Sequence, residues 1–211
     1  MCRWPMLAAL GLALACGCRG WPPSEGAPLP PDGFDACFAG ERADFVANWR
    51  GVTDEEGFDD PEVRRLMSSE RREVLQMIAD LSMRSHWSVA GGCLRFDGRE
   101  GGGPLATRRE YEDFDLVAEW RSADGEGWVC VRGVAPVRTA SFRRPAGEWN
   151  RLCLSVRGDR VSVWANGLPV ADGVPLENRF RRGAAVPEVG RVELHAAGGA
   201  VDWRNVFVRA L

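Results

Sequence analysis

From Trp87 to the C-terminus, apolar residues recur at every second position, and glycine-centred turns cut the runs into short lengths. Phe114, Leu116, Ala118 and Trp120 alternate with Asp115, Val117, Glu119 and Arg121. Val161, Val163 and Ala165 alternate with Ser162, Trp164 and Asn166, and Val192, Leu194 and Ala196 with Arg191, Glu193 and His195. A period of two sends successive side chains to opposite faces, so each run predicts a strand with one face on a core. Gly91-Gly92, Gly158-Asp159 and Asn166-Gly167 supply the turns, the last a strong type I′ hairpin signal. Strands joined by tight turns pair antiparallel, and with no helices between them they predict an antiparallel sandwich or barrel.

One segment breaks the pattern. Asp60-Pro61-Glu62 offers an N-cap with proline at the first helical position, and Val63, Leu66, Met67, Val74, Leu75, Met77, Ile78 and Leu81 follow at helical spacing. Ser68-Ser69 divides the stretch into two short helices, whose face with Arg64, Arg65, Arg71 and Arg72 is solvated. Residues 54–85 therefore read as a helical insertion packed on the sandwich.

The first residues carry an address. Arg3 precedes a short apolar run, Met6 to Ala15, that is too short to span a bilayer. Small residues then precede Cys16 and Cys18, which resembles a bacterial lipoprotein signal over residues 1–20, with Cys16 the preferred lipidation site and Cys18 the alternative. This places the protein in the bacterial cell envelope, facing the periplasm or the exterior and held to the membrane by a lipid; an ordinary cleaved signal is the plainer reading. Residues 21–32 hold five prolines and few apolar groups, the composition of an extended tether. The domain proper then covers residues 33–211. Cys37, Cys93, Cys130 and Cys153 contain no C-x-x-C pair, so no metal site is indicated; they are either disulfide partners or buried thiols.

Composition restricts the chemistry. All 27 basic residues are arginine, which removes Schiff-base, P-loop and general-base lysines. A net charge of −3 argues against a nucleic-acid partner. Gly101-Gly102-Gly103 lacks the residues of a phosphate loop, no G-x-S-x-G elbow occurs, and no cofactor is expected. The acidic cluster Asp54-Glu55-Glu56 and Asp59-Asp60 lacks EF-hand spacing.

The strand region resembles the 3-keto-disaccharide hydrolase domain family, once called DUF1080. The likeness is carried by His86 to Gly98, Leu105-Ala106-Thr107, Tyr111 to Leu116, Glu119-Trp120-Arg121, Gly147-Glu148-Trp149-Asn150, Gly158 to Gly167 and Trp203 to Arg209, with Gly33-Phe34 to Trp49-Arg50-Gly51 as the opening strand. It implies an all-β, antiparallel, concanavalin-like and laminin-G-like jelly-roll sandwich. It also implies a substrate glycoside oxidised to a ketone at C3. The ketone acidifies the C2 proton, a base removes it, the C1 substituent leaves, and water addition completes a net hydrolysis. The chain departs from the family's pattern at Gly125-Glu126-Gly127-Trp128, at the shortened Val134 to Ser141 segment, and at His195-Ala196-Ala197-Gly198, where the family often has Gln-x-His-Gly.

Strand parity and the resemblance together nominate Glu119 as base, Arg132 as partner of the developing enolate and His195 as a second proton carrier, with Trp128, Trp164 and Arg138 contacting the sugar. The plainer readings are a cross-strand Glu119–Arg132 ion pair and a structural histidine. Two functions compete: an envelope-anchored hydrolase of 3-keto-glycosides, and a saccharide- or envelope-binding module of the same fold without turnover. A purely structural surface lipoprotein is a third.

Overall fold

The computed structural model describes residues 21–24, 27, 29–138 and 143–211; Cys16 and Cys18 lie outside them. Two antiparallel sheets face each other across one core. The larger has eight strands: β1 (Asp35–Phe38), β3 (Trp87–Ala90), β4 (Cys93–Phe96), β6 (Phe114–Ser122), β9 (Asn150–Arg157), β10 (Arg160–Ala165), β11 (Leu168–Pro175) and β13 (Val201–Ala210). Their order is β11-β10-β9-β6-β13-β4-β3, with β1 also pairing β13. The smaller sheet runs β2 (Trp49–Gly51), β5 (Leu105–Thr107), β12 (Val192–Ala197), β7 (Glu126–Val131) and β8 (Ala135–Arg138). The jelly-roll sandwich expected from the sequence is the observed architecture.

The expected parity holds on the inner faces. Phe114, Leu116, Ala118 and Trp120 join Val129, Val131, Val161, Val163, Val192 and Leu194 in the core, around the fully buried Trp49 and Trp203. The Asn166-Gly167 hairpin adopts the left-handed backbone that a type I′ turn needs, with φ of 52° and 81°. The outer face of β6 is not open, as an exposed sheet face would be. Asp115, Val117 and Glu119 are buried there too, beneath a layer of arginines.

The insertion forms as read, with two differences. Asp60 caps α2 (Pro61–Leu66), accepting from the Glu62 N–H at 2.8 Å, and Ser68 caps α3 (Ser69–His86), accepting from the Arg71 N–H at 3.2 Å. The second helix is thus a full 18 residues rather than a short one. Its buried stripe is Leu75, Ala79 and Met83, whereas Val74, Met77 and Leu81 are exposed. That rotation follows from what α3 covers. It lies along the free edge of β2, where Asp80 accepts from the Gly51 N–H and Gln76 donates to the Gly51 carbonyl. Edge strands need such a cover. Contact is so close that a Cβ on Gly51 would sit 2.0 Å from the Ala79 carbonyl oxygen. A further helix not read from the sequence, α1 (Arg42–Asn48), precedes β2.

Cys37, Cys93, Cys130 and Cys153 are buried thiols; none forms a disulfide among the described residues. Within the proline-rich segment, Trp21 stacks on Phe34 at 5.4 Å and meets Trp164 edge-on at 6.4 Å, on the outer face of the larger sheet.

Candidate functional site

The outer face of the five-stranded sheet is where polar groups and open space coincide. Register sets one row across it, Arg50, Ala106, Glu193, Cys130 and Pro136, and beside it the row His195, Trp128 and Arg138. Ala106 is small, so the row between Arg50 and Glu193 is left open. The segment from Val52 to Arg64 and the loop bearing Arg179 and Pro187 stand over this floor. A cleft of about 390 Å³ results, lined by His195, Arg179, Asp54, Asp59, Thr53, Ser82 and the Gly101–Gly103 loop.

On the floor, His195 lines this cleft and Glu193 the smaller cavity beside it; the two side chains point the same way because they sit two apart on β12. His195 Nε2 lies 2.8 Å from Glu193 Oε2, and both residues are buried. Trp128, the cross-strand partner of His195, stacks on its ring at 4.9 Å with an interplanar angle of 22°. Arg179 reaches across from the loop to Glu193 at 3.5 Å, Asp59 at 3.6 Å and the Cys130 sulfur at 3.8 Å. Burial pushes the Asp59 carboxyl up, against the pull of Arg179. Cys130, Glu193 and His195 also bring ligand-type atoms within 4.8 Å of one another. The Arg179 guanidinium already supplies positive charge at that point, so a divalent ion would have to displace it.

The residues nominated from the sequence do not assemble into one cleft. Of them only His195 lines it, with Trp128 stacked against its ring. Arg138 stands opposite Trp128 in β8, and only its backbone position is described. Glu119 is on the other sheet. It takes hydrogen bonds from Arg151 Nε and Nη2 at 3.0 and 2.9 Å, Arg204 Nε at 2.8 Å and Asn205 Nδ2 at 2.9 Å. Burial opposes its ionisation, yet the bonds from Asn205, Arg204 and Arg151 win and hold the carboxyl below the ordinary glutamate range. A carboxylate so engaged is a weak base. Arg132 does not pair with Glu119. Its guanidinium is buried in the turn after β7 and donates to the carbonyls of Pro187 and Glu112 and to Asp113. Trp164 lies on the outer face of the larger sheet, away from the cleft.

Glu193, Arg179 and Asp59 were not singled out by the sequence. Glu193 had a readable signal, a carboxylate two residues before a histidine on one strand face. Asp59 was noted only as part of an acidic loop cluster, and Arg179, reaching the cleft from a distant loop, had no signal.

Sandwich and cleft together define a jelly-roll protein whose open groove crosses the smaller sheet. Residues 134–209 match the family model of the 3-keto-alpha-glucoside-1,2-lyase-like domain, the family that the strand motifs resemble. Two provisionally assigned glycosyl hydrolases from Parabacteroides distasonis ATCC 8503 are similar in structure. One has a TM-score of 0.50 at 14% identity, covering 60% of this chain and 84% of its own. The other has a TM-score of 0.48 at 16% identity, covering 77% and 99%. Carbohydrate binding module CBM66 from Bacillus subtilis follows at 0.44 and 14% identity, covering 59% and 91%. At such identities the likeness concerns the fold. No curated protein sequence matches this chain.

Proposed function

We propose that this is a carbohydrate-active protein of the bacterial cell envelope, anchored through a lipid on Cys16, whose cleft acts on glycosides oxidised to a ketone at C3. The observation that carries the reading is the Glu193–His195 contact at the edge of the cleft, in a chain whose residues 134–209 match a 3-keto-alpha-glucoside-1,2-lyase-like model. Glu193 accepting at Nε2 sets the tautomer and leaves the Nδ1 lone pair for a substrate proton. The neighbouring ketone makes the C2 proton acidic, and Nδ1 takes it. Charge then develops on the ketone oxygen, where Arg179 is the nearest cleft cation to balance it. As the electrons return, the C1–O bond breaks, a C1–C2 double bond forms, and the departing oxygen takes the proton back from Nδ1 to leave as an alcohol. Water adds across it, its oxygen to C1 and a proton to C2, for net cleavage. Trp128 holds the imidazole plane and shields one ring face from water.

A second reading, saccharide binding without turnover, is favoured by one observation: Glu119, where the resemblance supports a base, is locked in ion pairs on the opposite sheet. The full chain incubated with a panel of 3-keto-glycosides and their unoxidised parents, with products followed by mass spectrometry, separates the two. Product is expected from the keto forms alone, and His195→Gln should lower the rate by about a hundredfold or more. Saturable binding with no product from any keto-glycoside overturns the hydrolase and leaves the binding module.

A further inference from the structure

Beside the cleft lies a second cavity of about 150 Å³, sharing Val52 and Asp59 with it. Four arginines line it: Arg50 from β2, Arg64 from α2, Arg132 from the turn after β7 and Arg191 at the start of β12. The carboxylates around it are already engaged. Glu110 pairs with Arg191 at 2.9 Å, Asp59 and Glu193 both pair with Arg179, and Asp113 pairs with Arg132. Asp80, behind the cavity, accepts from the Gly51 N–H at 2.8 Å and the Gln76 amide at 2.7 Å. That leaves Arg50 and Arg64 with no carboxylate partner among the described residues; Arg64 only rests over the Phe58 ring at 5.6 Å. Burial and the nearby guanidiniums of Arg191 and Arg64 pull Arg50 down to about 10. Asp80, bonded only by neutral donors, offsets part of this charge on Arg50 from behind, but no carboxylate among the described residues bonds either guanidinium, and an anion in the recess would complete them. A neutral acceptor stands among them as well: the Gln76 side-chain oxygen is buried and has no hydrogen-bond donor.

We propose that this cavity is the acid-group subsite of the cleft, taking the carboxylate of a uronic acid residue on the bound saccharide. Arg50 and Arg64 hold the carboxylate, and the Gln76 oxygen accepts from a ring hydroxyl. A bare anion would use the guanidiniums and leave Gln76 unsatisfied; a neutral sugar would use Gln76 and leave the charges unmet. A sugar acid meets both. This rests on the carbohydrate reading of the cleft and gives it a substrate class.

The test is calorimetric titration of the full chain with methyl β-D-glucuronide, methyl β-D-glucoside and inorganic sulfate. The glucuronide is expected to bind at least about tenfold more tightly than the glucoside, since hydrogen bonds to a charged group are the stronger kind. Arg50→Gln, and separately Arg64→Gln, should erase that preference, with melting temperature confirming that each variant folds. Equal affinity for the two glycosides, or a preference that survives both substitutions, overturns the subsite while leaving turnover of neutral 3-keto-glycosides intact. Sulfate binding as tightly as the glucuronide overturns the sugar-acid assignment in favour of a bare-anion site. Failure of both glycosides to bind overturns the subsite, while turnover of 3-keto-glycosides in the assay above decides separately whether the carbohydrate reading stands.

Discussion

Glu119→Gln separates a structural role from a catalytic one. The Glu119 side chain is 8% exposed, and its two oxygens are shared between Arg151, 13% exposed, and Arg204, 37% exposed. Glutamine keeps the volume but turns one acceptor into a donor facing a donor, and strands two guanidiniums. Breaking a fully buried pair costs about 3–5 kcal/mol. Arg204 is partly wet and keeps its stacking on Trp149 at 3.8 Å, so the loss here should be nearer about 2–3 kcal/mol. For a domain of this length that is roughly 4–12 °C in melting temperature. The pH dependence carries the same signature. Folding depresses the Glu119 carboxyl, so its contribution is complete above the unfolded value of about 4.3 and is lost as pH falls through the folded value. Wild type should therefore lose stability more steeply than the variant between about pH 5 and about pH 3. Thermal unfolding followed by circular dichroism across that range reads both effects. An unchanged melting temperature combined with lost turnover would refute the structural role and return Glu119 to the reaction.

Gly51→Ala should cost more than about 3 kcal/mol, because the new Cβ would meet the Ala79 carbonyl at 2.0 Å and α3 must leave the edge of β2 to admit it. Urea titration showing an unchanged midpoint would contradict that account of the edge cover. Cys16→Ser should abolish metabolic labelling by a palmitate analogue and move the protein out of the membrane fraction, with Cys18→Ser doing neither. The reverse pattern would assign the lipid to Cys18.

Parity made the faces of the strands legible but not their sheets. Each alternating run states which residues turn from the core, and Val192 and Leu194 against Glu193 and His195 were right in that sense. Two sheets enclosing one core have two outer faces, however, and the sequence does not say which strands are neighbours. Glu119 and His195 are both outward, and they stand on opposite sides of the molecule because β6 pairs β9 and β13 while β12 pairs β5 and β7. The buried face of the long helix in the insertion was misread for a related reason. Val74, Met77 and Leu81 form a valid apolar stripe, but the partner of α3 is a strand edge that needs Gln76 and Asp80 facing it, and this rotates the helix. Caps and turns were readable, since Asp60 and Asn166-Gly167 act on groups within a few residues of themselves.

The use of arginine as the sole basic residue becomes intelligible from the same two faces. On the larger sheet three carboxylates each take two guanidiniums: Asp115 with Arg157 and Arg209, Glu119 with Arg151 and Arg204, and Asp202 with Arg95 and Arg121. A planar fork can pair with a carboxylate and still lie flat over a ring, as Arg204 does on Trp149, whereas an ammonium group offers neither geometry. Six arginines so arranged cover that face with ion pairs. Each of these six guanidiniums bonds to a carboxylate, although six charges against three leave the face net positive. Arg50 on the smaller sheet and Arg64 on α2 above it are the same residue type in the opposite condition, gathered over an open floor with no carboxylate bonded to either among the described residues. Pairing, rather than the number of arginines, distinguishes the face that holds the fold together from the face that is built to meet an anion.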